Sequence, residues 1–96
     1  GGEMISLTSV EEQVRRVLEQ PDLELVAVNL PDDKKGERIV LLVAGEVDAD
    51  RLRKDLLEAG ANPLAIPGEV RQVTDIPKLG SGKTDFAGAK ALAGTD

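Results

Sequence analysis

Leu23-Glu24-Leu25-Val26-Ala27-Val28-Asn29-Leu30, then Pro31-Asp32-Asp33-Lys34-Lys35-Gly36, then Arg38-Ile39-Val40-Leu41-Leu42-Val43-Ala44 is the stretch on which the fold turns. The first segment alternates well enough for a strand centred on residues 25–28. The second is a turn by composition, rich in Pro, Asp and Gly. The third is a continuous run of β-branched residues and leucine, the pattern of a central strand buried on both faces. Two such runs around one turn read as an antiparallel hairpin.

Upstream, Leu7, Val10, Val14, Val17 and Leu18 fall on one helical face, with Arg15, Arg16 and Glu19 outward. Ser6, Thr8 and Ser9 are candidate N-caps. Thr8 with Glu11, or Ser9 with Glu12, would form a capping box. Pro21 is expected to stop this helix. Downstream, Asp48 or Asp50 caps a second helix whose inner face is Leu52, Leu56 and Leu57, and Gly60 ends it. Residues 62–68 form a kinked connector and 69–73 a short third strand. Thr84 is expected to cap a last helix packed through Phe86, Ala89 and Leu92 and weakened by Gly88. The class is α+β: one domain over residues 1–96, a small three-stranded sheet with packed helices.

Composition narrows the chemistry. The 96 residues are 41% hydrophobic and 31% charged, which suits one small domain. Phe86 is the only aromatic, so Val, Leu, Ile and Ala must build the core. There is no cysteine and no histidine, so disulfides, thiolate chemistry, histidine triads and the usual zinc sites are excluded. A net charge of −6 argues against a nucleic-acid partner. No apolar run reaches the length of a membrane span. The pairs Glu11-Glu12 and Asp32-Asp33 sit at a helix start and in a turn, and need no catalytic explanation.

The candidate chemistry lies in Pro77-Lys78-Leu79-Gly80-Ser81-Gly82-Lys83, followed by Thr84-Asp85-Phe86. Gly80 and Gly82 remove side-chain bulk and permit backbone angles other residues avoid. Lys83 then ends the loop as a compact point charge with three donors, suited to a carboxylate or phosphate. Gly80-Ser81-Gly82-Lys83-Thr84 also matches the end of a P-loop. The first glycine of that pattern falls on Pro77, however, which has no N–H to offer a phosphate.

Pro77-x-x-x-x-Gly82-Lys83 resembles the C-terminal signature of adenylate-forming enzymes: acyl-CoA synthetases, peptide-synthetase adenylation domains and luciferases. The likeness runs over nearly the whole chain. Gly1-Gly2-Glu3-Met4-Ile5-Ser6 resembles the stretch past that family's interdomain hinge, Val10-Glu11 the start of its first helix, and residues 31–38 its turn between two central strands. Gly1-Gly2-Glu3-Met4-Ile5-Ser6-Leu7, Asn62-Pro63-Leu64-Ala65-Ile66-Pro67 and residues 76–86 look like the branch of bifunctional acyl-acyl-carrier-protein synthetases/2-acylglycerophosphoethanolamine acyltransferases. Leu79-Gly80 and Thr84-Asp85-Phe86 depart from the Pro-Lys-Thr-x-Ser-Gly-Lys style of common acyl-CoA synthetases.

The resemblance implies a C-terminal lid domain, cut near the hinge from a parent with a large N-terminal adenylation domain. It implies an acid–thiol ligase that uses ATP with Mg²⁺, bound mainly by that other domain, so the fragment alone should be inactive and bind no cofactor. Lys83 would contact the substrate carboxylate and the α-phosphate, on the loop of Gly80, Ser81 and Gly82. Gly1, Gly2 and Glu3 would line the tunnel for a phosphopantetheine thiol in a second conformation. Implied partners are a fatty acid and an acyl carrier protein or CoA, in the cytoplasm or at the cytoplasmic face of the inner membrane. No metal ligand is expected in this domain. Lys34, Lys35 and Arg38, or alternatively Arg51, Arg53 and Lys54, form basic clusters that would suit an acidic carrier protein; solvated faces are the plainer reading. Other readings remain open: an acyl-CoA synthetase or peptide-synthetase lid, a non-catalytic binding module, or a P-loop-like nucleotide-binding domain.

Overall fold

The computed structural model describes residues 6–32, 34 and 36–94. In order these form α1 (Leu7–Leu18), β1 (Leu25–Asp32), β2 (Gly36–Val43), α2 (Ala49–Glu58), a 3-10 turn (Pro63–Ala65), β3 (Glu69–Gln72) and α3 (Phe86–Ala93). The sheet runs β1-β2-β3, with β1 antiparallel and β3 parallel to β2. The hairpin expected from the sequence is present and longer than its composition suggests. Pro31 and Asp32 pair with Glu37 and Gly36, so the two strands reach into the segment that reads as turn. Pro31 is tolerated because β1 lies at the sheet edge, where a missing ladder donor costs little.

Strand alternation sorts the core into two layers. Leu25, Ala27, Ile39, Leu41 and Val43 meet Val10 and Val14 of α1 and Leu52 and Leu56 of α2. Val26, Val28, Leu30, Val40 and Leu42 meet Ile76 and the small face of α3, Ala89 and Ala93. Helices therefore cover both faces of the sheet, and β2 is buried on both sides, as its unbroken apolar run requires.

The helix ends differ from the sequence reading in instructive ways. Ser6 is the N-cap of α1; its Oγ accepts from the Ser9 N–H at 3.2 Å. Glu11, free of any capping box, reaches across to β1 and accepts the Ala27 N–H at 2.9 Å. That carboxylate satisfies a buried donor that β1 would otherwise leave unpaired at the edge. Arg15 does not simply face water either, since its Nε donates to the Leu23 carbonyl at 3.0 Å. Asp48 caps α2. Leu57, expected inside, is 55% exposed, because α2 turns only Leu52 and Leu56 to the sheet.

α2 closes in a Schellman turn. Gly60, at φ +87°, donates to the Leu57 carbonyl, and Ala61 donates to that of Leu56. α1 ends at Leu18, before Pro21, by the same pair of bonds: Glu19 to Arg16 and Gln20 to Arg15. There the left-handed position is held by Glu19, at φ 56°. A side chain in that region costs about 1–2 kcal/mol, partly offset by the greater freedom glycine has when unfolded. Glu19→Gly is therefore expected to stabilise the domain by about 0.5–1 kcal/mol and raise Tm by roughly 2–8 °C. Calorimetry on the two proteins checks this, and an unchanged or lower Tm would contradict the strain argument.

Candidate functional site

The signature segment is a small hairpin of its own, following β3 and preceding α3. Lys78 pairs with Thr84 in an isolated antiparallel bridge. Around it the Asp85 N–H donates to Pro77 at 2.9 Å, Leu79 to Lys83 at 2.7 Å, and Gly82 to Leu79 at 2.9 Å. These bonds describe a three-residue loop, Gly80-Ser81-Gly82, with Gly82 at φ +90° in the position that such loops reserve for glycine. Gly80 has open space around the place of a Cβ and no unusual φ. Only one of the two glycines is thus required by backbone geometry. Gly82→Ala is expected to destabilise the hairpin by about 1–2 kcal/mol, whereas Gly80→Ala changes little. NMR shifts of Leu79, Lys83 and Asp85 amides report the difference, and equal perturbation by both variants would contradict it.

Alternation along the hairpin divides its side chains. Lys78 and Thr84 share one face, and Leu79 and Lys83 share the other. Thr84 is half-buried, whereas Leu79 and Lys83 are exposed. Lys83 has no ion-pair partner among the described residues. Its backbone N–H lies 3.5 Å from Ser81 Oγ, a weak contact. The hairpin therefore presents a single unneutralised ammonium on its outward face. Such a group can hold an anion brought to it by another surface.

The start of α3 supports this hairpin. Asp85, not Thr84, is the N-cap; its Oδ1 accepts the Gly88 N–H at 2.9 Å. Thr84 is already committed to the bridge with Lys78. Gly88 also has a positive role that its low helix propensity hides. A Cβ there would lie 2.6 Å from Asp85 Oδ2 and 3.4 Å from Pro77 Cβ, so its absence lets the cap and the hairpin base pack together. Phe86, expected in the core, is 57% exposed; Ala89 and Ala93 are the buried face of α3.

The remaining candidates fare differently. Gly1, Gly2, Glu3 and Lys35 lie outside the described residues. Lys34 is exposed, while Arg38 sits 3.9 Å from Glu69, which also binds Arg71 at 2.8 Å. Arg51 and Arg53 pair along α2 with Asp55 and Asp50 at 3.7 and 2.6 Å. The hairpin geometry weighs against the P-loop reading. The N–H groups of Leu79, Gly82 and Asp85 are spent within the hairpin, so they cannot wrap a phosphate.

Two-sided helical cover of a three-stranded mixed sheet matches the C-terminal domain of adenylate-forming enzymes. No family model matches the chain. Among solved structures it is similar to the amide bond synthetase McbA of Marinactinospora thermotolerans, with 25% identity, a TM-score of 0.76 and 92% of this chain covered. It is also similar to apo MbtA of Mycobacterium smegmatis, with 27% identity, a TM-score of 0.77 and 95% covered. A Mycobacterium tuberculosis fatty acyl CoA synthetase shares the fold at 22% identity, with a TM-score of 0.80 and 96% covered. The chain spans 18% of the length of each of these three proteins. The adenylate-forming superfamily fits the chain.

Proposed function

We propose that this chain is the C-terminal lid domain of an ATP-dependent acid–thiol ligase that activates a fatty acid. It would work with a large N-terminal adenylation domain of the same protein and be inactive alone. The observation that carries this reading is Lys83: an exposed cation with no partner among the described residues, on a bonded hairpin whose outward face it occupies. A site that is half a site needs a second body to complete it.

In the first half-reaction a carboxylate oxygen attacks the α-phosphorus of ATP and pyrophosphate leaves, giving an acyl-adenylate. Lys83 brings the two anions together and stabilises the charge that builds on the phosphorus oxygens. In the second, a phosphopantetheine thiol attacks the acyl carbon and AMP leaves. We assign the acceptor as acyl carrier protein, the acyl group passing onward to a lysophospholipid at the cytoplasmic face of the inner membrane. Gly1, Gly2 and Glu3 would line the thiol's path after the domain rotates, and Lys34, Lys35 and Arg38 would face the acidic carrier. Among the described residues no three His, Cys, Asp or Glu side chains group closely enough to hold a metal ion. No described residue is assigned to the metal, which would be held by the adenylation domain.

The test is made on the full-length protein with ATP and a fatty acid, following pyrophosphate and offering holo-acyl carrier protein or CoA as acceptor. Fatty-acid-dependent pyrophosphate release with transfer to the carrier protein is the expected result. Release with transfer to CoA alone would replace the acceptor, and no acid-dependent release would overturn the ligase reading.

A further inference from the structure

Lys78 and Glu24 form an ion pair between the signature hairpin and the residue that leads into β1, across 54 positions of sequence. Glu24 is a firm anchor, since its backbone carbonyl accepts the Ala44 N–H at 2.9 Å and extends the β1–β2 ladder by one step. Lys78 occupies the face of the hairpin opposite Lys83. Holding Lys78 against the sheet thus turns the opposite face, with Lys83, outward.

The other ties of the hairpin to the body lie at its base. Ile76 is buried beneath α3, and Pro77 packs near Gly88. The bonds above the base run within the hairpin itself. Bonds of that kind shape the loop but leave its tilt on the domain free. Above the base, the side-chain link from Lys78 to Glu24 ties the hairpin to the body.

We infer that Glu24 and Lys78 are positioning residues that aim Lys83, an inference that rests on Lys83 serving the adenylation step. Their side chains are 50% and 44% exposed, and an exposed pair adds little to stability. Its effect belongs in the rate, because a catalytic group displaced by about 1 Å can cost on the order of 100-fold. Glu24 would act through Lys78 and Lys78 through the hairpin; neither touches substrate.

The experiment uses the full-length protein with Glu24→Lys, Lys78→Glu, the double swap, and Lys83→Ala as reference. Pyrophosphate release is measured against ATP and fatty acid, and thiol transfer from preformed acyl-adenylate is measured separately. Each single variant is expected to lower kcat for pyrophosphate release by on the order of tenfold, with KM, thiol transfer and Tm nearly unchanged. The double swap restores most of the loss, because the pair is remade with its charges exchanged. Full rates in both single variants beside an inactive Lys83→Ala would overturn the positioning role and leave the ligase reading intact. Losses that the swap does not recover would overturn it too, because the two residues would then act separately. An unaffected Lys83→Ala would remove both readings, since there would be nothing to aim.

Discussion

Lys83→Ala in the full-length protein is expected to slow pyrophosphate release by about 100- to 1,000-fold, the usual cost of one preorganised contact to developing charge. Thiol transfer from preformed acyl-adenylate should keep most of its rate, because the attack of the carboxylate on the α-phosphorus, the step Lys83 assists, is already complete. The domain should fold as before. Lys83 is exposed and bound to no carboxylate among the described residues, and surface substitutions of this kind stay within about 0.5 kcal/mol. Lys83→Arg is a useful companion. A broad planar fork replaces a compact ammonium, so partial recovery at most is expected. Equal loss in both half-reactions would point to a docking defect, and no loss in either would make Lys83 an ordinary surface lysine.

Leu41→Ala is expected to cost about 3–5 kcal/mol. Leu41 is fully buried at the middle of β2, facing α1 and α2. A chain of 96 residues has roughly 5–14 kcal/mol in total, so this one truncation would remove a large share of it. Tm should fall by roughly 10–40 °C. The loss is hard to absorb because the neighbours are Val, Leu, Ile and Ala, with no aromatic ring to swing into the cavity. Leu57→Ala removes the same atoms from a side chain that is 55% exposed and should change stability by no more than about 0.5 kcal/mol. Similar losses at the two positions would mean that the face α2 turns to the sheet is wrongly assigned. Urea unfolding of both variants decides it.

Much of the architecture is legible in particular residues. Apolar residues in unbroken sequence from Ile39 to Ala44 mark a strand covered twice, and β2 is that strand. Val10 and Val14, or Leu52 and Leu56, recur at helical spacing because a helix repeats its face every 3.6 residues. Gly60 and Gly82 stand where the backbone enters the left-handed region. The candidate lysine was equally legible, because glycines, a proline and a terminal cation at fixed spacing describe a local object.

What escaped the linear reading depends on partners far away along the chain. Phe86 and Leu57 are apolar, so periodicity places them inside; the sheet has room there for Ala89, Ala93, Leu52 and Leu56 instead. Thr84 and Asp85 are both sound caps, and the bridge from Lys78 to Thr84 leaves the cap to Asp85. Glu11 fits a capping box in sequence, yet it serves an open N–H of β1 sixteen residues on. Nothing local signals that β3 runs parallel to β2, or that Lys78 meets Glu24. Backbone preference and side-chain periodicity act over a few residues and are written into the order of the chain. Which face is covered, which donor is left open, and which charge stands alone emerge only when segments pack, because each depends on what arrives opposite.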